Sequence, residues 1–315
     1  MNKVEKLQDR VSRELELTAS ITAENLVKRF FEFLDVSEQT GRAYKFGIKQ
    51  FIRYLHSENI PQPTRETVIT YKKSLIAKGL KPSTIALYLS SIRRFFSWCE
   101  TEKLYENITS GIKSPKQPSG HKRDYLTGSQ IHAMLKRVHS KRDYAMLALI
   151  STCGLRTIEV VRANVSDFRT ISGVSVLDIQ GKGHSDKDVF VKLSQPVVDA
   201  LNEYLTERGN VKGNEPLFVS ESRRNAGERL TTRTVSGIAK KAMKEAGCNS
   251  PRLTAHSLRH SAATLALLSG QKLEDVQQFL RHTSVTTTMI YAHTLNRLNS
   301  QCENAVTSAI FDRCA

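Results

Sequence analysis

His256, Arg259, His282 and Tyr291 fall within one stretch near the C-terminus, TAHSLRHSAATLALLSGQKLEDVQQFLRHTSVTTTMIYAH, from Thr254 to His293. His256 and Arg259 stand three apart, which on a helix puts them on one face with Cβ atoms about 5–6 Å apart. His282 and Tyr291 are too widely spaced for one helical face. A turn followed by a short helix would bring the phenol back. Basic side chains gathered round a phenol suit chemistry on an anion. Upstream, Arg156 lies in CGLRTIEVV with Glu159 three residues on, so the two can share a helical face. Taken alone, that is a structural ion pair. Lys182 lies in the turn GKG, and taken alone is a solvent-exposed lysine. His256 and His260 are four apart, but the H-E-x-x-H glutamate is missing and no cysteine cluster accompanies them. No metal site is expected, and His260 reads as a packing or hydrogen-bonding residue.

These residues need a scaffold, and the periodicity supplies one from Tyr125 onward. Thr127 and Gln130 fit a capping box opening the helix QIHAMLKRVH. Asp143 to Thr152 is almost wholly apolar, so that helix must be buried; Gly154 breaks it, and Arg156–Val161 starts another. Residues 174–179 and 188–193 alternate as strands around QGKGHSDKD, predicting a β-hairpin with Lys182 at its tip. Helices follow over 197–208 and 232–246 and through the stretch described first. Beyond Tyr291, Leu295, Leu298, Cys302, Val306 and Ile310 mark an amphipathic helix.

The preceding part of the chain is different. From Thr22 four helical patterns run to residue 112, the second capped at Thr40, the third stopped by Gly79 and the fourth opened by Pro82. Lys113–Asp124, KSPKQPSGHKRD, has linker composition. Residues 1–21 read as an arm or helix of unassigned role. The expected architecture is therefore mainly α with a small β-hairpin or sheet. A helical unit (22–112) is joined by a linker (113–124) to a mixed α/β unit (125–315).

The 315 residues carry 47 Lys and Arg against 31 Asp and Glu, a net charge of +16. The surplus is shared evenly between residues 1–124 and the remainder, so both units are expected to touch one polyanion, for which nucleic acid is the commonest partner. Arg42, Lys45, Lys49, Arg93 and Arg94 are candidate phosphate contacts on outward faces, with Lys72 and Lys73 beside them. The five cysteines include no C-x-x-C pair and read as free thiols in a reducing compartment. The N-terminal stretch MNKVEKLQDRVSRELEL lacks an apolar signal core, and the apolar run Ala145–Ile150 is too short to cross a bilayer. A soluble, cytoplasmic protein with no membrane partner is expected.

Together, Gly154-Leu155-Arg156-Thr157-Ile158-Glu159, Lys182, His256-Ser257-Leu258-Arg259-His260, His282 and Tyr291 resemble the tyrosine recombinase (lambda-integrase) family, most like its Xer-type and simple phage-type integrase members. The family pattern is an arginine in G-L-R-x-x-E, a lysine in a hairpin turn, H-x-L-R-H, a later histidine and a tyrosine nine positions on. The resemblance implies that the helical unit is a SAM-like core-binding domain and that the second unit is catalytic. One departure stands out: Xer-type proteins usually have Leu-Gly-His where this chain has Leu280-Arg281-His282. Arg281 would alter the local turn or add a phosphate contact.

The chemistry implied fits the residue types. Arg156 and Arg259 offer planar, permanently charged forks to the non-bridging phosphate oxygens. His256 and His282 add donors and move protons near neutral pH. A phenol has an ordinary pKa near 10, so about one in a thousand is ionised at pH 7; a cationic pocket would lower it and aim Tyr291 for attack. Lys182 would protonate the leaving 5′-oxygen, and Glu159 would hold Arg156 or a histidine. No metal or nucleotide cofactor is required, since the arginines carry the charge work and the tyrosyl–phosphate ester conserves the bond energy. The family implies a 3′-phosphotyrosyl link, strand exchange between double-stranded DNAs through a Holliday junction, and self-association to a tetramer. In it a C-terminal helix docks on a neighbour, with Leu295, Leu298 and Ile310 as candidate contacts here; packing of this helix on its own domain is the other reading. Accessory directionality factors or a partner recombinase are possible additions. Two other readings stay open at this point: a type IB topoisomerase-like relaxing enzyme, and a non-catalytic DNA-binding protein of the same fold.

Overall fold

The computed structural model describes residues 23–116, 124–181, 186–282 and 302–311, arranged as two compact units, Met1–Ser119 and Gly120–Ala315. In the first, α1 (Ala23–Phe33), α2 (Glu38–Ser57), α3 (Arg65–Ala77) and α4 (Pro82–Thr101) follow one another with short connections. Helix α2 is capped by Ser37, whose hydroxyl accepts from the Thr40 N–H, so the expected Thr40 cap shifts three residues earlier. Thr40 instead bonds the Ser37 hydroxyl from inside the first turn. The core is strongly aromatic. Phe51, Tyr54, Tyr71 and Phe96 pack with Ile85, Leu89 and Ile92, while Phe30 packs against Trp98 and Phe95. Helices α2 and α4 approach closely at Gly47, where a Cβ would lie 2.5 Å from Ser91 Oγ.

The second unit comprises α5 (Gly128–Leu135), α6 (Lys141–Cys153), α7 (Thr157–Arg162), β1 (Phe168–Ile171), β2 (Val174–Ile179), β3 (Val189–Lys192), α8 (Gln195–Arg208), α9 (Thr232–Glu245), α10 (Ala255–Leu268), α11 (Leu273–Leu280) and α12 (Cys302–Phe311). The capping box forms as expected: Gln130 N–H donates to Thr127 Oγ1 at 3.2 Å, and Thr127 N–H to Gln130 Oε1 at 2.9 Å. Helix α5 ends at Leu135, shorter than its apolar pattern predicts. Helix α6 is buried from Ala145 through Ile150 and packs on α8 and α10. Each fully buried Leu or Ile there contributes about 1.5–3 kcal/mol.

The expected hairpin forms, with β2 and β3 antiparallel and Ile179 opposite Val189. It belongs to a three-stranded antiparallel sheet of order β1-β2-β3. Strand β1 escapes the alternation pattern because it is four residues long. Its signal is the Ser172-Gly173 dipeptide: both residues have positive φ (48° and 80°), as a two-residue primed hairpin turn requires. Among the described residues no helix is long and apolar enough to cross a membrane.

Candidate active site

Three short segments build the site, and each does so through its own backbone. Helix α6 stops because Gly154 adopts the left-handed conformation (φ 58°, ψ 34°). A Cβ there would lie 2.9 Å from Leu280 Cδ2 and 3.1 Å from Phe279 Cε1, so a bare backbone is also what admits the end of α11. Arg156 then sits in extended conformation as the N-cap of α7. It is outside the helix expected to contain it, so Arg156 and Glu159 meet by a different route from a shared helical face. Glu159, third in α7, reaches back in the manner of a capping box. Its Oε2 accepts from the Arg156 backbone N–H at 2.8 Å, and its Oε1 from Arg156 Nη1 at 2.7 Å.

Helix α10 carries the second guanidinium. Thr254 opens it, its N–H donating to Ser257 Oγ at 3.1 Å. Arg259, 4% exposed, donates to the carbonyls of Gly154 and Leu280, and its Nη1 lies 3.9 Å from Glu159 Oε2. His256 stands exposed on the first turn of α10, its ring 6.4 Å from that of His260. Helix α11 supplies the third segment. It ends on Arg281, another left-handed residue (φ 55°, ψ 47°). The Arg281 carbonyl accepts from Arg156 Nη2 at 3.4 Å. His282 follows, its N–H donating to the Gln277 carbonyl and its own carbonyl accepting from Gln277 Nε2, each at 3.1 Å.

Three guanidiniums thus surround one fully buried carboxylate. Burial alone would raise the Glu159 carboxyl, but the Arg281 charge, the Arg156 hydrogen bonds and the Arg259 charge outweigh it and hold it below the usual carboxylate range. His282 is pulled down to about 4, first by burial and then by Arg259, Arg156 and Arg281, with Glu159 opposing. Its imidazole is therefore neutral at pH 7. One carboxylate cannot balance three guanidiniums, so the cluster favours an incoming anion.

The structure brings Arg156, Glu159, Arg259, Arg281 and His282 together, with His256 on the same helix as Arg259. Lys182 and Tyr291 lie outside the described residues, as do Leu295 and Leu298. Arg162 escaped the sequence reading. It donates to the Gly181 carbonyl at 3.2 Å, next to the position of Lys182, and only tertiary placement could reveal that.

The outward candidates divide. Arg42 is exposed and paired with Glu38; Lys45, 5.9 Å from the Phe31 ring centre, and Lys49 line one groove with Lys28 and Arg53. Arg94 is exposed. Arg93 is not an open surface cation, since it donates to the Ile112 carbonyl at 2.6 Å and Ser114 Oγ at 3.1 Å. Arg281, expected to alter the turn or touch phosphate, turns its guanidinium inward onto Glu159 at 2.9 Å. Among the described residues no group of three or more His, Cys, Asp or Glu side chains could hold a metal ion.

Comparison with known proteins gives a consistent picture. The phage integrase family model matches residues 124–297, and that of the phage integrase N-terminal SAM-like domain matches residues 27–103. The chain is 30% identical over 284 residues to a tyrosine recombinase of Pseudothermotoga lettingae, covering 87% of this chain and 95% of that protein. It is 30% identical over 285 residues to tyrosine recombinase XerD of Yersinia pestis, covering 85% and 92%. Among solved structures, XerH site-specific recombinase bound to palindromic difH substrate in a post-cleavage complex superposes with a TM-score of 0.70. That match has 23% identity and covers 95% of this chain and 88% of XerH, a likeness of fold.

Proposed function

This chain belongs to the phage integrase family and is a tyrosine-type site-specific DNA recombinase, and we propose that Tyr291 is its nucleophile and Arg156, Lys182, His256, Arg259 and His282 its catalytic set. The observation that carries this reading is the convergence of Arg156 and Arg259 on one carboxylate, Glu159, at 2.7 and 3.9 Å, which gathers two forked cations in one small volume. A phosphodiester entering there places its non-bridging oxygens against both guanidiniums, which neutralise the charge gathered in the transition state. The Tyr291 oxygen attacks phosphorus and its proton passes to a site histidine. The bond to the 5′-oxygen breaks, and the Lys182 ammonium gives that oxygen its proton. The products are a 3′-phosphotyrosyl ester and a free 5′-hydroxyl. Attack by a 5′-hydroxyl from a second duplex reverses the step, and two such rounds exchange strands through a Holliday junction. His282, neutral at pH 7 before DNA enters, donates a hydrogen bond to phosphate from its ring N–H.

In the same reading residues 22–112 form a SAM-like core-binding unit and residues 125–315 the catalytic unit, joined by 113–124. Arg42, Lys45, Lys49 and Arg94 contact the DNA backbone. The chain assembles as a tetramer on double-stranded DNA through α12, whose Val306 and Ile310 are 57% and 58% exposed.

Trapping on a library of random-sequence duplexes tests the assignment. The wild type should form a denaturant-resistant protein–DNA adduct, and Tyr291→Phe should form none. Adducts persisting in Tyr291→Phe would remove Tyr291 from the mechanism. Lys182→Ala should cleave ordinary DNA slowly, yet regain speed when the leaving 5′-oxygen is replaced by sulfur, which departs unprotonated. An equal loss on both substrates would take Lys182 out of the acid role.

A further inference from the structure

We propose that Arg281 is a positioning residue that fastens the end of α11, and with it His282, to the Gly154–Glu159 segment, so that Arg156, Arg259 and His282 stand as one preorganised cluster before DNA arrives. The role rests on the recombinase mechanism above.

The first observation is backbone conformation. At φ 55° and ψ 47° an L side chain carries a steric cost that glycine escapes, so a large residue at this C-cap needs a compensating interaction. The second is where the side chain goes. It is 13% exposed, and its guanidinium donates to Glu159 Oε2 at 2.9 Å, the Phe279 carbonyl at 2.7 Å and the Gly154 carbonyl at 3.2 Å.

The third observation is what those acceptors also hold. Glu159 carries Arg156, and the Gly154 carbonyl also accepts from Arg259. Arg281 therefore shares one acceptor with each of the other two arginines, while its own carbonyl receives Arg156 Nη2. Removing the fork loosens the hold on both and frees the C-cap that leads into His282. A lysine cannot substitute. Its ammonium is a point charge on a flexible stem, whereas these acceptors, on two separate segments, suit a planar fork.

Arg281 is thus distinct from a direct phosphate ligand: its effect should appear in the rate of the chemical step rather than in DNA affinity. The test uses the full chain as wild type, Arg281→Gly and Arg281→Lys, with a nicked duplex carrying the sequence recovered by trapping. Arg281→Gly relieves the backbone cost, and Arg281→Lys keeps the charge should the glycine variant not fold. Both should lower the single-turnover rate of adduct formation at saturating DNA by about tenfold or more, with Kd within about twofold of wild type. Without DNA, the His282 ring proton should give one narrow magnetic-resonance signal in the wild type and a broadened or split one in Arg281→Gly.

An unchanged rate in both variants overturns the proposal. So does a loss of affinity that accounts for the whole loss of rate, which would make Arg281 a DNA contact. A wild-type chain that forms no adduct overturns the mechanism instead, and the His282 signal still reports whether the fastening exists.

Discussion

Removing the Glu159 carboxylate would leave Arg156, Arg259 and Arg281 facing one another with no buried counter-charge. Glu159→Gln should therefore cost about 3–5 kcal/mol of stability, the usual penalty for stranding buried charge. Urea unfolding at neutral pH checks this, and a cost below about 1 kcal/mol would mean that water already screens the cluster. Because its folded-state pKa is depressed, Glu159 contributes stability above the ordinary carboxyl pKa and loses it as pH falls through the lowered value. His282 acts in a higher window. Its pKa is about 4 in the folded chain against about 6.5 in the unfolded one, so between these values the unfolded state binds the extra proton. Wild-type stability should fall as pH drops from 6.5 to 4, and His282→Gln should flatten that part of the curve. An identical slope in the variant would contradict the lowered pKa. At this scale Arg156, Glu159, Arg259 and His282 were legible from residue type and spacing. The direction of Arg281 was not, because it depends on a left-handed backbone and on acceptors more than 120 residues away.

Gly154 shows how an element boundary does the work of a side chain. It ends α6, turns the chain toward Arg156 and leaves room for Leu280 and Phe279. Gly154→Ala meets both objections to a Cβ, the left-handed backbone and the occupied space, and should cost about 2–5 kcal/mol. A urea midpoint close to wild type would show that α11 can move aside. The glycine break was visible in the sequence, as were the buried helix before it and the hairpin after it. Arg156 shifted from inside α7 to its cap because the N3 carboxylate of Glu159 bonds the backbone N–H of the residue preceding the helix. Strand β1 went unseen for a physical reason: four residues are too few for alternation to register, and only the primed turn at Ser172-Gly173 betrays it. Tyr291 and Lys182 rest on the sequence pattern, since neither lies among the described residues.

For the whole molecule the decisive quantity is the net charge of +16, spread over both units. A surface that neutralises six or more phosphates should lose at least about a thousandfold in DNA affinity between 50 and 200 mM salt. A flat profile would contradict contact by both units. Each unit has its own apolar pattern and its own core, and the division between them after Ser119 falls in the stretch of linker composition, 113–124. Hydrogen bonds within the second unit cover much greater sequence separations. Arg281 reaches Glu159 across 122 residues, and the Leu126 N–H reaches Ser261 Oγ across 135. This has a consequence for biosynthesis. The ribosome completes the helical unit early, because the residues of its core all precede residue 113, while the arginine cluster cannot close until residue 281 has emerged. A nascent or prematurely terminated chain can therefore carry a folded first unit and half of the net positive charge, yet lack the assembled chemistry that cuts the DNA on which it lands.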